Sequence, residues 1–302
     1  MDWKRFGFIA LIITILFGAV VLVGYSQQRP LLIITSMLAT TIAVATPLTL
    51  GALAGMFCER SGVVNIGIEG MMLSSAFFGW FTGMYLSNVY GWTLMPSIIS
   101  GTVIAMLTGT LMGLLLAWLS VTFKVDQIIG GTVINILAVG LTGFLNRQLF
   151  FGKTSLFGGT VPSSPGVFSA IHLPITEIFA SMCKSDICLE NVTAINRVFD
   201  QKPIAWAAIL LVFVSHYVLF KTRWGLRTRA VGEHPRAADT VGINVERMRY
   251  ANVLIGGMLA GLAGAYFTIE SIPSFEPLMT NGRGFISLAP TRCRRCISYP
   301  CI

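Results

Sequence analysis

From Gly70 to Phe123 the chain carries no Asp, Glu, Lys or Arg. That is more than twice the run of about 20 apolar residues that a membrane-crossing helix needs. A water-soluble helix must return a polar face to solvent every turn, and this stretch has none to offer. Further uncharged runs cover 6–28, 30–58, 127–146, 203–220 and 250–269. Each of these supplies one span. The long run breaks at Asn88-Val89-Tyr90-Gly91-Trp92, where a glycine and interfacial aromatics suit a turn at the headgroup level. Seven spans result, at about 6–25, 31–57, 66–87, 92–119, 127–146, 203–220 and 250–270. The expected fold class is all-α, a polytopic transmembrane helical bundle.

Composition agrees. Of 302 residues, 54% are hydrophobic and 11% charged, where a soluble domain has about 25% charged. Mean hydropathy is +0.75. These values exclude soluble enzymes, disordered chains and nucleic-acid binders. The net charge of +8 is therefore read as orientation, through the excess of Lys and Arg on the cytoplasmic side. With Lys4 and Arg5 inside, seven crossings place 221–249 inside, with Lys221, Arg223, Arg227, Arg229, Arg236, Arg247 and Arg249. Arg60 and Lys124 fall on the same side. Arg29, the turn at Gly91 and a long loop at about 147–202 fall outside. The first run exceeds a signal peptide's apolar core of about 7–15 residues and lacks an A-x-A site, so it reads as a retained span with a cytoplasmic N-terminus.

Helices in lipid associate through close backbone approach and polar contacts. Small-residue pairs stand at helical spacing at Gly51/Gly55, Gly79/Gly83, Gly109/Gly113 and Gly257/Gly261, and the expectation is packing within the chain. Pro47 should kink or break its helix. Thr35, Ser36, Thr40, Thr41, Thr46 and Thr49 give that span a polar side, equally suited to packing inward and to lining a path.

Two segments carry chemistry. In Glu59-Arg60-Ser61-Gly62-Val63-Val64-Asn65-Ile66-Gly67-Ile68-Glu69-Gly70, glycines flank a charged residue where a span begins. Such irregularity survives at membrane depth only when buried in protein or lining a cavity. Glu69 is either a functional intramembrane acid or a carboxylate resting on the positive end of a helix. In Gly225 through Ile243, Pro235 suits a first helical position and Gly242 a stop. The short helix between them is unstable alone in water, so it should dock on a partner; the alternative is a basic loop on lipid headgroups.

Other signals fail. Gly152-Lys153-Thr154 lacks the earlier glycine of a phosphate loop, since position 147 is Arg. His172, His216 and His234 have no metal-site spacing, and no catalytic cluster appears, so neither metal nor catalytic residues are expected. Cys183 and Cys188 are open to a small disulfide in an oxidising compartment.

Thr46-Pro47-Leu48, the 59–72 segment, Asp126-Gln127-Ile128-Ile129-Gly130-Gly131, the 225–245 segment, Ala260 through Tyr266 and Gly282-Arg283-Gly284-Phe285-Ile286 together resemble the permease subunits of bacterial ABC importers. The resemblance is to the nucleoside and simple-sugar class within the branched-chain amino acid and ribose permease superfamily. It implies a multi-pass protein of the bacterial inner membrane, working with a second related permease subunit, cytoplasmic ATP-binding subunits and an extracytoplasmic substrate-binding protein. No cofactor is expected on this chain, ATP being bound by the partner.

The resemblance makes 232–243 a coupling helix, with Gly232, Glu233, Pro235, Ala237, Ala238, Asp239 and Gly242 meeting the ATPase. Asn65, Glu69 and Asn135 are the expected pathway residues. The permease domain is 1–289, with 147–202 its outer loop and 221–249 its coupling loop. The tail 290–302, with three arginines and three cysteines, departs from the family's apolar continuation and reads as frameshifted or truncated, with C-terminal spans missing. The function expected is a path for nucleosides or a related small polar solute. The alternatives are a sugar or branched-chain amino acid permease, or a self-sufficient secondary transporter or channel.

Overall fold

A computed structural model describes residues 30–151, 166–170 and 198–289. The first span at 6–25, most of the loop at 147–202 with Cys183 and Cys188, and the tail at 290–302 lie outside the described residues. Among the described residues 82% are helical and none is in a strand. The helices are α1 (Pro30–Arg60), α2 (Ile68–Tyr90), α3 (Leu94–Ala117), α4 (Gln127–Asn146), α5 (Pro203–Lys221), α6 (Arg223–Glu233), α7 (Pro235–Thr240) and α8 (Val245–Ala265). Helices α3, α4 and α8 run on into π-helical turns at Trp118–Thr122, Arg147–Phe151 and Tyr266–Ser271. A last helical segment covers 283–289.

The described residues fall into two compact units, 30–45 with 169–170 and 198–205, and 46–151 with 166–168 and 206–289. In the first, the hydroxyls of Thr35, Ser36, Thr40 and Thr41 each donate to a carbonyl of the preceding turn. Helix α1 continues through Pro47 without interruption. The second unit holds both segments singled out in the sequence.

In that unit α2 sits in the middle, packed against α3, α4 and α8. Glycine sets the spacing. A Cβ on Gly261 would stand 2.6 Å from the Ala105 carbonyl oxygen, and one on Gly101 would stand 2.6 Å from the Gly79 carbonyl oxygen. The pairs Gly109/Gly113 and Gly257/Gly261 face each other across the α3–α8 crossing, so these small residues do pack within the chain. Where α2 meets α4 and the 272–282 loop, Phe77, Trp80, Phe150 and Phe275 form a buried aromatic cluster. Gly91, at φ +65°, ends α2 in the left-handed conformation that only glycine adopts cheaply.

Among the described residues, five helices are long and apolar enough to cross a membrane: Leu32–Arg60, Leu94–Thr122, Gln127–Phe151, Pro203–Lys221 and Val245–Ser271. They coincide with five of the seven expected spans. The expected first span lies outside the described residues. The third, α2, is less apolar than these five: it carries Glu69 in its first turn, and Ser74 and Ser75 are wholly buried.

Contact levels also place the start of α2. Gly131, one turn into α4, lies against Gly67, and Gly79, three turns into α2, lies against Ala105 of α3. Ile68 therefore begins α2 about one turn in from the end where α4 starts. The chain reaches that depth as extended backbone over 63–65.

Candidate functional site

Helix α1 stops at Arg60 because Gly62, at φ +82°, turns the backbone away. The amides of Ser61, Gly62 and Val63 return to the carbonyls of Cys58, Glu59 and Cys58 at 3.1 Å each. Buried extended backbone needs partners for its amides and carbonyls, and α4 supplies them. Asp126 caps α4 through the Ile128 amide at 2.8 Å, which places Gln127 beside the break. Gln127 Oε1 accepts from the Val64 amide at 2.7 Å, and its Nε2 donates to the Gly62 carbonyl at 3.4 Å. Two helical turns later Asn135 repeats the arrangement. It accepts from the Gly70 amide at 2.8 Å and donates to the Ile66 carbonyl at 3.1 Å.

These bonds require contact at backbone distance. A Cβ on Gly70 would lie 2.8 Å from Asn135 Cα, and one on Gly131 would lie 2.9 Å from the Gly67 nitrogen. Asn65 is fully buried within the break, its Nδ2 directed at Cys58 Sγ (3.7 Å) and Met71 Sδ (3.6 Å).

Glu69 joins the break to the last described segment. Its carboxylate accepts from the Gly282 amide at 2.8 Å and the Gly284 amide at 2.6 Å. Gly282 takes φ +78°, and a Cβ on Gly284 would lie 2.7 Å from Glu69 Cα. Held between these amides, Arg283 places its guanidinium 5.1 Å from the Phe267 ring centre. Phe267 belongs to the π-helical turn Tyr266–Ser271, which also carries the buried Glu270. Thus Asn65, Glu69 and Asn135 do come together around the break, each by holding backbone or filling it.

The 221–249 segment is built differently. Pro235 opens α7, and Gly242, at φ +83°, closes it, with the Gly242 and Ile243 amides returning to Asp239 and Ala238 at 2.9 and 3.1 Å. Asn244 then caps α8 through the Arg247 amide at 2.9 Å. The expected coupling residues divide into two sets. Gly232 and Ala238 turn inward, Gly232 lying against the Arg60 carbonyl where any side chain would collide. Glu233, Ala237, Asp239 and Gly242 turn outward, and so does Val241, which is 80% exposed. Pro235, Arg236 and Asp239 share an open groove of about 840 Å³ with Val64, Lys124–Ile128, Asn244–Glu246 and Arg249. All three segments assigned to one side of the membrane therefore meet at one end of the unit.

Residues 37–285 match the family described as branched-chain amino acid transport system / permease component. Guanosine ABC transporter permease protein NupQ of Bacillus subtilis (strain 168) is 37% identical over 263 residues, covering 85% of this chain and 74% of NupQ. Nucleoside ABC transporter permease protein NupC of Lactococcus lactis subsp. cremoris is 34% identical over 257 residues, covering 84% and 73%. TsgC13 of Haloferax volcanii, provisionally named a glucose ABC transporter permease, is 32% identical over 254 residues, covering 84% and 68%. The chain belongs to this family. No solved structure matches.

It is accordingly a multi-pass membrane permease subunit of an ABC importer, a transport component and not an enzyme. Its family implies partnership with an ATPase and a substrate-binding protein. Sequence reasoning passed over three members of the site. Gln127 and Arg283 entered only within stretches of family resemblance, and Glu270 only as the residue that ends an uncharged run. An acid closing an apolar run inside a span was the available signal.

Proposed function

We propose that this permease carries nucleosides, pairing with a second related permease subunit to form the path. Cytoplasmic ATPases would engage the outward face of α7, and the N-terminus would be cytoplasmic. What supports the substrate is the identity of 37% and 34% to relatives named for guanosine and nucleosides. What supports the coupling is the continuity from α7 through Gly232 to Arg60 and Gly62, the first residues of the break. A push on α7 passes by backbone contact into 61–67, and from there through Asn135 and Glu69 into α4 and the 280–284 loop. Asn65, Glu69 and Asn135 belong to the path as residues that keep its wall in shape. The chain would need no cofactor of its own, with ATP bound by the partner.

The experiment is uptake of labelled guanosine, uridine and glucose by cells lacking their own nucleoside uptake and carrying the complete importer. Saturable nucleoside uptake that stops when the ATPase is inactivated is the expected result. Glucose uptake alone would replace nucleoside with sugar, and uptake independent of the ATPase would remove the ABC assignment.

A further inference from the structure

Helix α6 has a face that coupling does not use. Its inner face carries Gly225 and Thr228, both buried, with Asn252 of α8 donating to Thr228 Oγ1 at 3.3 Å. The opposite face, at helical spacing, presents Arg223, Leu226, Arg227 and Ala230. Arg223 and Arg227 are exposed, as is Lys221 just before them, and Leu226 is 63% exposed between the two arginines. From Lys221 to Ala230 there is no acidic residue.

Two contacts set the level of this helix. Thr222 caps α6 while its hydroxyl donates to the Val218 carbonyl at 2.6 Å. Gly225 lies so close to Val218 and Leu219 that a Cβ would stand 2.6 Å from the Leu219 carbonyl carbon. The helix is thus folded back onto the last turn of α5, an apolar span ending at Lys221. Asn252, two turns into α8, holds the inner face of α6, so the face with Arg223, Leu226 and Arg227 is turned away from α8.

We infer that α6 is an interfacial helix whose Lys221, Arg223 and Arg227 bind anionic phospholipid headgroups, with Leu226 inserted at the acyl boundary. Amphipathic helices with cations flanking an apolar residue lie in this plane, and their long side chains reach headgroups while their stems cover apolar surface. Each cation near an anionic leaflet strengthens attachment roughly fivefold. The inference rests on the permease assignment only for the presence of a membrane, and not on the solute.

The test uses the complete importer in nanodiscs of phosphatidylcholine with or without 30% phosphatidylglycerol, with tightly held lipid counted by native mass spectrometry. The wild type should retain phosphatidylglycerol in preference to phosphatidylcholine. R223Q/R227Q should lower that preference roughly 25-fold, and R223K/R227K should keep most of it. Equal retention by the wild type and R223Q/R227Q overturns the inference. So does loss of the ATPase from R223Q/R227Q in both lipids, which would give this face to the ATPase, and so does displacement of the lipid by millimolar glycerol phosphate. Failed nucleoside uptake with lipid preference intact would count against the solute alone.

Discussion

The two motif-rich segments, 59–72 and 225–245, look alike in sequence: both are glycine-punctuated, charged and set at a span boundary. The structure treats them in opposite ways. The first is largely buried, and its backbone and Glu69 are bonded within the chain: Gln127 to 62 and 64, Asn135 to 66 and 70, Glu69 to 282 and 284. The second anchors one side through Gly232 and Ala238 and leaves Ala237, Asp239 and Val241 outward. A segment whose bonds close internally has a shape to keep, whereas one that spends part of itself on exposed apolar surface has a partner to meet.

Substitutions sharpen the contrast when thermal stability and ATPase retention are read on the same purified importer. The largest loss of stability should follow Glu69→Ala. It removes the acceptor of two amides, and charge-assisted bonds contribute about 1.5–3 kcal/mol each. Glu69→Gln, keeping one amide oxygen, should lose about half as much. A full loss with Gln would mean the charge, not the acceptor, matters. Next comes Gly70→Ala, whose Cβ would meet Asn135 Cα at 2.8 Å; crowding of this kind costs about 1–3 kcal/mol. Gly232→Ala should resemble it despite lying in the coupling loop, because Gly232 faces Arg60. If Gly232→Ala melted like the wild type but lost the ATPase, the division between inward and outward residues would fail. Ala237→Arg should change stability least, within about 0.5 kcal/mol, as surface substitutions do.

How much of this was legible in the sequence follows from what each signal measures. Uncharged runs report a need to keep charge out of lipid, so α1, α3, α4, α5 and α8 were visible as apolar spans, with boundaries close to those found. The same logic found α2 as a helix but not its burial, which lets it carry Ser74, Ser75 and Glu69. Local caps were legible: Pro235, Gly242 and the break at Gly91 all act as their residue types suggest. The clamp was not. Asn135 was singled out as polar at membrane depth, but its partners lie 65 and 69 residues away in the chain, and Glu69 reaches 213 and 215 residues to Gly282 and Gly284. Without an apolar period or fixed spacing to mark such pairings, residue type pointed to the right place and to a different role. The outer face of α6 was read with the coupling loop, lipid headgroups being the alternative, because its separation from α7 shows only in the contacts at Gly225 and Thr228.

The most direct test of the central claim is the ATPase content of the importer purified with Ala237→Arg, measured beside its melting temperature. The account predicts a wild-type melting temperature with the ATPase lost. Full ATPase retention at an unchanged melting temperature would contradict it, because the exposed side of α7 would then not be where the ATPase engages.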